Sequence, residues 1–137
     1  MFKKCIFIAT TLLGLSACQS VSILDNEDLD ILGTWHIEAT QGKPVIDYSP
    51  AQLVFAADGA LSGNNSCNQF FGQYQLDGRS LTLSPAGNTM KACVDALMQQ
   101  EQKVMQSMSM VTQGTLTKGK LLLSDADGNT VLVLSKQ

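Results

Sequence analysis

Four cysteines, a single histidine and a glutamate set into an apolar helix face are the residues whose types and spacing invite chemistry. Cys18 closes the run Leu15-Ser16-Ala17-Cys18. Ahead of it stand a positive head with Lys3 and Lys4 and an apolar run from Cys5 to Leu15. That run is too short to span a bilayer, which needs roughly 20 residues, and it has the make-up of a signal-peptide core. Small residues before the cut fit a peptidase pocket. A cysteine at the new N-terminus supplies the thiolate that takes a diacylglycerol. The chemistry expected at Cys18 is therefore acylation. Each buried CH₂ of an acyl chain contributes ~0.8 kcal/mol, so a multiply acylated, palmitate-bearing Cys18 is a stable membrane anchor.

The organisation that follows is a signal peptide over 1–17, a lipidated tether over 18–30 and one domain over 31–137. Gln19 is not the aspartate that in enteric bacteria often retains a lipoprotein at the inner membrane. The expected address is the outer membrane, facing the periplasm. Cys5 then leaves with the signal peptide, which leaves Cys67 and Cys93. In an oxidising compartment two cysteines more often pair than stay free. A bridge between them would contribute ~3–4 kcal/mol on the chain-entropy model. The rival is a metal site, for which two cysteines and His36 at wide spacing make a poor zinc set. No metal and no cofactor is expected.

Val94 to Ser109 holds no Gly or Pro and is rich in Gln, Met, Leu and Lys, which are good helix formers. Asp95 is the expected N-cap. Val94, Leu97, Met98, Val104, Met105 and Met108 share one face at helical periodicity. Glu101 falls in the middle of that stripe, where a carboxylate must be paired or shift its pKa upward. A structural reading has it accept hydrogen bonds from backbone N–H groups of the 64–67 or 88–93 loops, or pair with Lys91. A functional reading makes it a ligand-orienting carboxylate. Met98, Met105, Met108 and Met110 have thioethers that suit Cu(I), but three of them coincide with the apolar stripe and read as core filling. Asn64, Asn65, Ser66 and Asn68 could offer amides to a ligand. Such residues in a Gly-bounded loop more often satisfy their own backbone, and Asn68 is expected to lock the loop beside Cys67.

His36 lies on the strand face opposite Trp35 and reads as a surface residue without a nucleophile to serve. No Ser-His-Asp order, paired-glutamate spacing, phosphate loop or metal signature is present, so no catalytic residue and no enzyme is expected. Removing Lys3 and Lys4 with the signal takes the formal charge from −3 to −5. Nucleic acid and anionic headgroups are poor partners for such a surface.

Around the helix, short apolar segments alternate with turn signals, the pattern of a meandering antiparallel sheet. Asp58-Gly59, Asp77-Gly78 and Asp127-Gly128 are hairpin signals, because Gly takes the positive φ of a tight turn. Gln41-Gly42-Lys43-Pro44 reads as the break after the first strand. The expected fold is α+β: a curled antiparallel or β-barrel-like sheet of about eight strands with one amphipathic helix packed on it.

Gly33-Thr34-Trp35, then Cys67-Asn68-Gln69-Phe70-Phe71-Gly72-Gln73-Tyr74, then Thr89-Met90-Lys91-Ala92-Cys93, then Met98-Gln99-Gln100-Glu101 together resemble the META domain family and its HslJ-like lipoproteins. The match runs from about Ile31 to Leu134. In one departure, the basic residue Lys91 follows Met90, where the family usually places it before the methionine. The resemblance implies a barrel-like fold with a helix, an envelope location and association with heat or antibiotic stress. It also implies a likeness to the cracked-barrel pilotins of type III secretion, which bind other proteins. It supplies no catalytic residues. The expected protein is a monomeric, non-enzymatic, stress-related binding lipoprotein with an envelope protein partner. The alternatives are a lipocalin-like small-ligand carrier, suggested by Gly33-Thr34-Trp35, and a periplasmic lysozyme inhibitor, suggested by the acidic charge.

Overall fold

Side chains alternate between core and solvent along Trp35-His36-Ile37, Gln52-Leu53-Val54-Phe55 and Leu81-Thr82-Leu83, as half-buried strands require. In the computed structural model, which describes residues 27–137, these segments become β1 (Gly33–Thr40), β3 (Gln52–Phe55) and β6 (Ser80–Asn88). Between them lie β2 (Lys43–Pro44), β4 (Ala60–Asn64) and β5 (Gln69–Asp77). Helix α1 (Asp95–Met110) follows, then β7 (Gln113–Thr117), β8 (Lys120–Ser124) and β9 (Thr130–Lys136). The expected signal peptide, Cys18 and most of the tether lie outside the described residues.

All pairings are antiparallel, and β1 pairs with β9 as well as β3, so the sheet curls into a closed ring. Nine strands stand where about eight were expected. The additional one is β2. Gln41 and Gly42 both take positive φ, 49° and 77°, and turn the chain back on β1 as a short hairpin instead of merely ending the strand.

One seam is thin. β6 and β7 meet at a single pair, Ser80 with Gln113, and α1 packs against β6, β9 and β1. The helix contributes Val104 and Met108 to a core built from Ile37, Leu53, Phe55, Leu61, Leu121 and Leu134. Burying each such side chain stabilises the fold by ~1.5–3 kcal/mol before entropy is counted.

The helix differs from expectation in two respects. Its N-cap is Val94, without a side-chain cap, and Asp95 sits in the first turn. Its buried residues are Gln100, Val104, Ser107 and Met108, whereas Val94 is 60% exposed. The stripe is turned because the surface beneath the helix is partly polar. Thr40 there meets Ser107 with 2.8 Å between their hydroxyls.

At the other end of the ring, Asp28 and Leu29, ahead of the expected Ile31, already pack on the sheet. The Gly78 N–H donates to Asp28 Oδ1 at 2.7 Å, and the Leu29 N–H donates to the Gly78 carbonyl at 3.1 Å. Trp35 Nε1 donates to the Ile31 carbonyl at 2.7 Å.

Candidate functional site

The residues singled out in the sequence converge where the 64–69 loop, the 88–94 loop and the first half of α1 meet. Cys67 and Cys93 form a disulfide with 5.9 Å between their Cα atoms. The link joins the β4–β5 connection to the residue just before the helix N-cap, Val94.

Two asparagines organise the loops. Asn65 Oδ1 accepts the N–H groups of Cys67 and Asn68 at 3.2 and 2.8 Å, the self-capping habit of this residue in turns. Asn68 Oδ1 accepts the Lys91 N–H at 2.7 Å and the Thr89 hydroxyl at 2.9 Å. Their amide nitrogens are thereby turned toward the helix. Both donate to Glu101 Oε1, Asn65 at 2.8 Å and Asn68 at 3.1 Å. Glu101 is half-buried, at the border of the packed helix face and not in its middle.

This outcome corrects the expected donors. They come from the 64–68 loop, but they are side-chain amides and not backbone N–H groups. Lys91 serves through its backbone, and the only ion pair among the described residues is Lys120 with Glu38. Asn68 does lock the loop beside Cys67.

One residue earlier on the helix, Gln100 is 7% exposed and fully engaged. Its Nε2 donates to Ser49 Oγ at 2.6 Å and to Ser66 Oγ at 2.8 Å, while its Oε1 accepts the Ile46 N–H at 2.9 Å. Ser66 has φ 106°, a region that side-chain-bearing residues seldom occupy. Asn64 Oδ1 takes the Ser66 N–H at 2.8 Å, and with Gln100 it holds that strained backbone in place. The sequence reading missed Gln100 and Ser49, and it singled out Ser66 without its tie to the helix. The available signal was that Gln100 lies between Leu97 and Val104 at helical spacing.

Every buried side-chain polar atom among the described residues has a partner. Glu101 also borders a shallow opening of about 340 Å³ with Met90, Lys91 and Met98. Thr89 lines it too, and its hydroxyl is engaged with Asn68 Oδ1. His36 sits half-buried on the outer face of β1, between Gln52 and Ser135 in the sheet register. Met108 is buried and Met110 is 38% exposed. No group of three or more His, Cys, Asp or Glu among the described residues could hold a metal.

The family model for the META domain matches residues 27–137. The chain belongs to the META domain family. No curated protein matches it. Among solved structures, this META domain resembles a protein determined by NMR at 26% identity, with TM-score 0.58, covering 75% of this chain and 87% of that one. A Burkholderia xenovorans protein, also solved by NMR, shares 22% identity with TM-score 0.63 over 77% and 81% of the two chains. A DUF4847 family protein from Bacteroides vulgatus ATCC 8482, in a crystal structure at 1.00 Å, shares 16% identity with TM-score 0.59 over 77% and 92%. The last two likenesses concern the fold alone.

Proposed function

We propose that the protein is a non-enzymatic lipoprotein of the cell envelope, anchored through acylated Cys18 at the periplasmic face of the outer membrane. There it serves under envelope stress as a binding module. It presents its 88–94 loop to a protein partner.

The supporting observation is the separation of two ends. Asp28 and Leu29, which continue the tether, are hydrogen-bonded to Gly78 at one end of the β5–β6 hairpin. The 88–94 loop leaves the opposite end of β6, a strand of nine residues. At ~3.3 Å per residue that distance is about 30 Å. An anchor at the first end turns the second away from the bilayer. The disulfide, Asn68 and Glu101 hold the loop there, with Met90 95% and Val94 60% exposed. Fixing a loop beforehand lowers the ordering cost of binding. The side chains that fill the ring's interior favour this reading over a carrier with a ligand cup.

A photo-crosslinking residue at Met90, compared with one at Lys118 in the β7–β8 turn, tests the display. A discrete protein adduct from Met90 alone is expected, and equal labelling from both would remove the claim. Cys18→Ala is expected to abolish recovery with membranes. Unchanged processing of a soluble Cys18→Ala protein would overturn the anchor.

A further inference from the structure

The outward side of β3, β4 and β5 carries no charged side chain until Asp77 at its far end. Five carboxamides project from it: Gln52, Asn64, Gln69, Gln73 and Gln75. Only Asn64 uses its side chain internally, as the acceptor of the Ser66 N–H. The other four make no hydrogen bond among the described residues, so their donors and acceptors are turned to solvent.

Phe71 stands among them, 62% exposed. Its ring lies across the ladder over Gly87, the residue it faces on β6. A Cβ at Gly87 would come within 2.7 Å of Phe71 Cζ, so the ring rests on bare backbone that any side chain would displace. Cover of a sheet glycine by a cross-strand aromatic accounts for one face of the ring. The other face is left to solvent. On the opposite neighbour, Ser62 pairs with Phe71, and there a groove of about 360 Å³ opens between β3 and β5. Pro50 and Val54 give it apolar walls, and Gln52, Asn64 and Gln69 give it amides.

The chemistry of this face is selective. A carboxamide offers donors and an acceptor without charge, which suits a row of hydroxyls that also donate and accept. An immobilised aromatic face suits the C–H side of a pyranose ring. A phosphate or carboxylate ligand would find no cation here. An apolar peptide would find one ring in a field of amides.

We infer that the β3–β5 face binds an uncharged polysaccharide strand, with one pyranose ring on Phe71 and the neighbouring hydroxyls on Gln52, Asn64, Gln69 and Gln73. This site does not rest on the lipid anchor, and it borders the 88–94 loop at Gln69, whose backbone is hydrogen-bonded to Thr89.

Calorimetry on the full chain, held in a detergent without sugar groups, tests the inference. The probes are tetramers of N-acetylglucosamine, of glucose and of galacturonic acid. At least one neutral tetramer is expected to bind with a Kd of about 1 mM or tighter, and the charged tetramer is not. Phe71→Ala and Gln73→Glu are each expected to weaken binding about tenfold or more, while Phe71→Trp keeps it and Met90→Ala leaves it unchanged. Should Phe71→Ala fail to fold, Gln73→Glu and Phe71→Trp carry the test. Failure of both neutral tetramers to bind would overturn the inference. So would equal binding of the galacturonate tetramer, or wild-type affinity in folded Phe71→Ala and Gln73→Glu.

Discussion

Leu53 in the middle of the ring and Gln100 under the helix are both nearly withdrawn from water, at 0% and 7% exposure. Leu53 is held by contacts that have no direction, and neighbours of similar volume could replace those around it. Gln100 is held by three hydrogen bonds with fixed geometry, two to the Ile46–Ser49 turn and one to Ser66. The apolar interior supplies most of the stability. The polar end supplies position: it specifies where the 64–69 and 88–94 loops lie relative to the helix.

The largest expected effect tests the first half of that contrast. Leu53→Ala empties a packed site and is expected to cost ~2–5 kcal/mol in urea unfolding. The loops at the helix end should keep their native hydrogen-exchange protection below the unfolding transition. A cost under about 1 kcal/mol would mean that the ring collapses easily around the gap, and the contrast would lose its apolar side.

The clasp should respond less in energy and more in position. Glu101→Ala leaves the Asn65 and Asn68 amides without their shared acceptor, at ~1–3 kcal/mol. Glu101→Gln keeps an amide oxygen at the same reach and is expected to cost less. In Glu101→Ala the Lys91 amide hydrogen, now held only by a loosened Asn68, should exchange faster than in the parent. If alanine and glutamine variants melt alike and the Lys91 amide is unmoved, Glu101 is no clasp.

The same contrast explains which parts were legible in the sequence. The strands and two-residue turns were readable because alternation and Gly at positive φ are local signals; Gly59, Gly78 and Gly128 take φ of 88°, 61° and 85°. The disulfide followed from the compartment expected for Cys67 and Cys93. The face of the helix was misjudged because a wheel sorts residues by polarity alone. It cannot know that Ser49, Ser66 and Thr40, distant in sequence, form a polar floor that receives Gln100 and Ser107. For Glu101 the 64–67 loop was one of three partners offered, and the donor atoms were not foreseen, since the Asn65 and Asn68 oxygens are first committed to backbone N–H groups. Strand β2 was missed because Lys43-Pro44 has no pattern, only a place beside β1.

A second glutamate gives the smallest and most discriminating test. Glu38 on the outer face of β1 pairs with Lys120, both about one-third or more exposed, at 35% and 41%. The Lys120 hydrogen bond chiefly, with help from the Ser135 hydroxyl, holds the Glu38 carboxyl below its ordinary value of 4.5. A lowered pKa in the folded state means a stabilising contribution that is present above 4.5 and is lost as pH falls through the folded-state value. Because the pair is exposed and screened by salt, its worth is ~0–1 kcal/mol. Glu38→Gln should therefore be slightly less stable than the parent at neutral pH, and the gap should close in acid, where the parent carboxylate is protonated too. High salt should narrow the neutral-pH gap in the same way. A gap independent of pH and salt would mean that Glu38 acts by packing its methylenes. A gap as large as that of Glu101→Ala would mean that exposed charge on the ring wall holds this fold as firmly as the buried amide clasp does.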